Sequence, residues 1–195
     1  MTTYSPTIDK EYVAILPTCT RTGKIVLVDQ PSQVDVAVEA LRQCTAIGFD
    51  TESKPAFQRG ANNSIALLQL SSMDTAYLFR LKMIGKHEGL KSLLEDETIA
   101  KIGLSVHDDF LSLNEWMPCR PQHFIELQKY VAAYGIEEKS LQKIYAIIFH
   151  EKMSKRQRLS NWDAPELTDA QQLYAAIDAW ACLDIYYHLI NDSKL

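Results

Sequence analysis

Asp50-Thr51-Glu52 closes a short apolar run, Ala46 to Asp50 (AIGFD), which reads as a buried strand ending in carboxylates. Side chains at i and i+2 of a strand point the same way, so Asp50 and Glu52 can face one point in space. Two anions held together repel unless a cation or a proton lies between them. An oxygen-only ligand set favours magnesium or manganese over zinc. The same D-x-E text is also common as a solvated strand end, so the pair needs company before it counts as a metal site.

That company comes from two further places in the chain. Tyr174-Ala-Ala-Ile-Asp178 lies in a long helical pattern, Thr168 to Ile190, where four residues put the phenol and the carboxylate on one face. Leu173, Ala176, Ile177 and Leu183 make that helix a packed one, and an inward aspartate without a partner would be costly. Gly103 to Leu113 reads as a strand turning into a helix and offers Asp108 and Asp109; an aspartate there can equally cap the helix. His107-Asp108 also admits a different chemistry, the HD dyad of an all-helical metal phosphohydrolase. The scattered His87, His123, His150 and His188 and a strand-rich first half argue against it.

The elements that must position these groups follow from periodicity. Lys24 to Asp29 is a strand, Pro31 and Ser32 open a helix through Val34, Val38 and Leu41, and residues before Lys24 form an extended arm or edge strand. Ile65 to Ser71 and Thr75 to Leu81, separated by Ser72-Met73-Asp74, form a hairpin. Helix, strand and helix follow at Gly89 to Glu95, Ile99 to Val106 and His107 to Trp116. Phe124 to Leu127 is a further short strand, and Ser140 to Phe149 and Thr168 to Ile190 are helices, the last with a Thr168–Gln171 capping box. This order predicts an α/β fold, a mixed sheet flanked by helices.

The chain has 195 residues, 47% hydrophobic and 23% charged, enough for one ordinary core, so a single domain spanning 1–195 is expected, with its motifs between about 24 and 190. Cys19, Cys44, Cys119 and Cys182 form no C-x-x-C pair and are expected to be reduced thiols. No signal peptide or long apolar stretch is present, which predicts a soluble, cytoplasmic protein. A net charge of −5 disfavours phosphate binding by simple electrostatics. A carboxylate metal site is acidic before its cation arrives, however, and the cations Lys152, Lys155, Arg156 and Arg158 are clustered.

The three acidic groups, in this order and with the flanking text IALLQLS, KIGLSVHDDFLSL and LSNWDAPELTDAQQLYAAIDAWACLDIY, resemble the DEDD superfamily of 3′–5′ exonucleases in its tyrosine variant, the group of ribonuclease D and the Werner syndrome helicase exonuclease domain. The resemblance implies a ribonuclease H-like fold and two divalent cations, Mg2+ or Mn2+, held by Asp50, Glu52, Asp109 and Asp178. Tyr174 is implied to orient the attacking water. The implied reaction removes nucleoside 5′-monophosphates from the 3′ end of RNA or DNA. Asp109 is assigned because it stands six residues after Gly103 and just before Phe110-Leu111; the asparagine many members carry earlier in this motif is missing, and Asp108 is the alternative. Substrate contacts are expected from Thr51, from Arg59 in the polar stretch Ser53 to Asn63, and from Lys155, Arg156 and Arg158. Trp162 is expected in the core. A binding module of the same fold with weak catalysis is the competing reading, disfavoured because all five side chains are present.

Overall fold

Strand β3 (Ile65–Ser71) is buried at every position, and β5 (Ala100–Gly103) likewise, as strands covered on both faces must be. The computed structural model describes residues 4–53 and 64–192. Around β3 and β5 stand β1 (Lys24–Val28), β2 (Ala46–Ser53), β4 (Thr75–Arg80) and β6 (Phe124–Glu126), in the spatial order β1-β4-β3-β2-β5-β6. The β2–β3 and β3–β4 pairs are antiparallel; β1–β4, β2–β5 and β5–β6 are parallel. This is the ribonuclease H-like mixed sheet.

The period of two in β2 sorts its side chains. Ile47 and Phe49 enter a core with Leu68, Leu70 and Phe79, covered by α2 (Pro31–Arg42), α4 (Glu88–Leu94) and α5 (Val106–Trp116). The even-numbered positions face α8 (Asp169–Asp192), which crosses β1, β2, β3, β4 and β5. Helix α7 (Leu141–Phe149) packs beside α8 over Ala46, Ala100 and Ile102. The capping box at the start of α8 is present: Gln171 N donates to Thr168 Oγ1 at 3.3 Å and Thr168 N to Gln171 Oε1 at 3.0 Å.

Four local expectations are corrected. Before Lys24 the chain forms a helix, α1 (Lys10–Ile15), followed by an extended segment whose Thr18 makes an isolated parallel bridge with Lys152; α1 buries no residue, so no apolar period marks it. The second hairpin strand stops at Arg80, and Leu81–Ile84 turn into α3. The strand expected over Ile99 to Val106 ends at Gly103, because Ser105 takes a left-handed conformation (φ 60°) and starts α5. Leu127, expected in strand, opens the six-residue α6 (Leu127–Ala132).

Candidate metal centre

Gly48 determines how closely α8 can lie on β2. A Cβ there would stand 2.0 Å from the Ala179 carbonyl oxygen and 2.5 Å from Ser71 Oγ, so only glycine admits this crossing. The neighbouring residue on the helix is Asp178, and two residues along the strand from Gly48, on the same face, is Asp50. The outcome is a triplet: Asp50, Glu52 and Asp178 each present a carboxylate oxygen, and these atoms all lie within 4.8 Å of one another. Asp178 is buried, 6% exposed, and Asp50 and Glu52 are half-buried.

Such crowding raises the proton affinity of every member. Asp50 is held well above the usual carboxylate range by its withdrawal from water and by Asp178, Asp109 and Glu52. Glu52 is pushed up to about 8 by burial, then by Asp178 and Asp109, with Arg158 pulling the other way. Asp178 rises to about 7 through burial, opposed by the hydrogen bond from the Tyr174 phenol. Burial and then the negative charges of Asp178, Glu52 and Asp50 lift Tyr174 above its ordinary value, so it stays a protonated donor. Among the described residues no lysine or arginine forms a salt bridge with the triplet. Three oxygen donors converging without a cation partner fit a hard divalent ion.

Asp109 stands beside the triplet but outside it. The Thr51 hydroxyl donates to Asp109 Oδ1, and Asp109 rises to about 6 through burial despite that bond. Asp108 and His107 are exposed. Thr51, expected against the substrate, therefore has its hydroxyl engaged with Asp109. Arg158 is close enough for its charge to be felt at Glu52. Lys155 and Arg156 instead line a cavity of about 380 Å³ with Thr18, Lys152, Met153 and Ser154, a lining that includes none of the carboxylates. Arg59 lies outside the described residues. Trp162 is fully buried, with its ring 5.9 Å from that of Tyr174. Residue-level reading missed Arg80, which is buried and donates to the carbonyls of Pro165, at 2.8 Å, and Ala164. It thereby fixes the loop between Trp162 and α8. A charged residue ending an apolar strand was its only signal.

The chain belongs to the 3′-5′ exonuclease family, whose profile matches residues 25–193. It is 34% identical over 154 residues to the mouse bifunctional 3′-5′ exonuclease/ATP-dependent helicase WRN, covering 74% of this chain and 11% of that protein. To the Drosophila melanogaster exonuclease 3′-5′ domain-containing protein 2 it is 32% identical over 150 residues, 75% of this chain and 25% of the relative. The chain thus spans a quarter or less of these two relatives. In fold it is similar to the Aedes aegypti Nibbler EXO domain (TM-score 0.79, 22% identity, 89% of this chain and 91% of that one). It is also similar to Escherichia coli RNase D (TM-score 0.78, 23% identity, 89% and 46%). The six-stranded sheet removes the all-helical HD reading of His107-Asp108. Among the described residues no helix is long and apolar enough to cross a membrane.

Proposed function

We propose that this chain is a 3′–5′ exonuclease of the tyrosine type, one domain over 1–195, that removes nucleoside 5′-monophosphates from RNA or DNA strands with a free 3′ end. The observation that carries the reading is the convergence of Asp50, Glu52 and Asp178 within 4.8 Å, with the Tyr174 phenol hydrogen-bonded to Asp178. Two divalent ions, Mg2+ or Mn2+, would supply a water ionisable near neutral pH and charge stabilisation of the leaving 3′ oxygen. Asp50, Glu52, Asp178 and Asp109 would hold these ions.

The remaining work belongs to side chains. Tyr174, kept protonated by its buried, anionic surroundings, is a poor base; with its O–H given to Asp178, its oxygen would accept from the attacking water and orient it in line with the last phosphodiester. A new bond from the water oxygen to phosphorus replaces the bond to the 3′ oxygen, which takes up a proton as it departs. Arg158, whose charge reaches Glu52, would pair with the scissile phosphate. Lys155 and Arg156, beside their own cavity, would hold phosphates farther along the strand, and Thr51 and Arg59 complete the proposed substrate contacts.

The test is cleavage of matched 5′-labelled single strands of RNA and DNA with Mn2+. A ladder shortening one nucleotide at a time, abolished by Asp50→Ala, is the expected result. Binding without shortening would point to a non-catalytic module, and a ladder that survives Asp50→Ala would remove the site.

A further inference from the structure

Glu126 is a further carboxylate at this end of the sheet, and its oxygens are spent on backbone. It ends β6, in register with Gly103 of β5. Its Oε1 accepts from Ser105 N at 3.0 Å and its Oε2 from Val106 N at 2.9 Å; Oε1 also takes Gln128 N at 3.1 Å. The amides of Ser105 and Val106 stand at the start of α5, where N–H groups lack an intrahelical acceptor. The helix has no help from its own cap residue: Ser105 makes no side-chain cap hydrogen bond. The Ser105 hydroxyl instead accepts from Gln128 Nε2 at 3.2 Å. Ser105 also sits at φ 60° and ψ 31°, a left-handed conformation that a residue with a Cβ adopts only when its surroundings impose it.

Asp109 follows Ser105 by four residues, so the pose of this junction decides where Asp109 emerges from α5. We infer that Glu126 is a positioning residue for the nuclease site: by clamping Ser105 and Val106 it holds the left-handed entry of α5, and through it the placement of Asp109 against the Asp50–Glu52–Asp178 triplet. It is distinct from the ligands, since its oxygens are occupied by amides and it stands outside the triplet. The inference rests on the exonuclease reading above, because it assigns Asp109 a metal to hold.

Glu126→Gln keeps the shape but leaves one acceptor oxygen and turns an amide donor toward an N–H. Outer-shell partners of metal ligands change metal affinity by about 10- to 100-fold. Glu126→Gln is expected to raise the Mn2+ half-saturation of cleavage about tenfold and lower kcat, with KM for the strand within about twofold of the wild type. Adding Ser105→Gly, which takes the left-handed conformation without strain, should restore much of the Mn2+ affinity. A merely structural role would lower the melting temperature and leave the Mn2+ dependence of the folded protein alone. Equal Mn2+ half-saturation in folded wild type and Glu126→Gln would overturn the inference. If Glu126→Gln alone does not fold, the double variant is read against Ser105→Gly, and equality there has the same force. Calorimetric Mn2+ binding separates the two claims. A wild type that binds Mn2+ without cutting loses the exonuclease reading, while Glu126 is still judged by whether its substitution weakens that binding.

Discussion

Lys101 and the Asp50–Glu52–Asp178 triplet are both buried charges on or over the middle of the sheet, and the protein treats them in opposite ways. Lys101 is fully buried, yet its ammonium donates to the carbonyls of Ile99 at 3.0 Å, Gln122 at 2.8 Å and Asp96, and it lies 5.4 Å from the centre of the Phe124 ring. Three fixed dipoles satisfy its three N–H bonds. The triplet has the Tyr174 phenol on Asp178, the Thr51 backbone N–H on Asp50 and the more distant charge of Arg158 on Glu52, and these leave burial and mutual repulsion the larger effects. A buried charge is costly unless it is paired. The fold has met that cost with carbonyl dipoles for the cation, whereas the crowded carboxylates keep raised proton affinities, as the proposed cation site requires.

Removing one charge from each place should therefore have opposite consequences. Asp178→Asn takes a ligand from the proposed centre, and activity with saturating Mn2+ should fall by about a thousandfold or more, as the loss of several kcal/mol of metal-based stabilisation requires. The same substitution relieves repulsion, so the metal-free protein should gain about 1–2 kcal/mol at pH 8. Normal turnover by the variant would exclude Asp178 from the reaction. A metal-free protein that becomes less stable would mean the triplet is not under electrostatic tension.

Lys101→Met should do the reverse. It strands the carbonyls of Ile99, Gln122 and Asp96, at about 2–4 kcal/mol of stability measured by denaturant. With metal and strand saturating, kcat should stay within about twofold. A large loss of kcat in the folded variant would show that Lys101 serves the site and not the scaffold alone.

The two regions also predict opposite slopes of stability against pH. Asp109, Asp178 and Glu52 rise to about 6, 7 and 8, so between pH 4 and 8 the folded state keeps protons that the unfolded chain has released. Stability of the metal-free protein should fall as pH rises through that window. Lys101 is lowered from 10.5 to about 8 by burial, so above pH 8 the unfolded chain holds the extra proton and its own contribution climbs toward pH 10.5, against the thiols of Cys44, Cys119 and Cys182, which burial raises and which pull the other way. A fall in metal-free thermal stability from pH 5 to 8 is the expected result, and Mn2+ should erase it. A monotonic rise from pH 5 to 8 without metal would contradict the raised carboxylates.

How much of this could be read from residues alone depends on how local the physics is. The Asp50–Glu52 pair follows from the period of a strand, and the Tyr174–Asp178 pair from one turn of a capped helix, both short-range rules. The helices α1, α3 and α6 escaped because six, four and six residues are too few to show a 3.6 period, and α1 has no buried face to show. Lys101, Glu126 and Arg80 escaped for another reason. Their partners are backbone groups, up to 21 residues away for Lys101, 20 and 21 for Glu126, and 84 and 85 for Arg80, and a carbonyl or amide carries no mark in a sequence. Gly48 was readable only as a small residue in a strand, since its meaning depends on a helix that arrives 131 residues later at Ala179.

The smallest expected effect concerns Thr51, where the open and the satisfied styles meet. Its hydroxyl donates to Asp109, as the Tyr174 phenol does to Asp178 and the Thr51 backbone N–H to Asp50. That bond lowers the proton affinity of Asp109 against the larger effect of burial. Thr51→Val keeps the shape and removes the donor, so Asp109 should titrate higher and the acid limb of the rate profile should move toward neutral pH. A hydrogen bond to a charged group contributes about 1.5–3 kcal/mol, part of which water recovers, so the loss in kcat should be about tenfold or less. Thr51→Ser, which retains the hydroxyl, should behave as the wild type. A residue whose main task is to contact the strand would instead raise KM and leave the acid limb in place. Such a result would return Thr51 to the substrate and leave Asp109 held by the geometry of α5 alone.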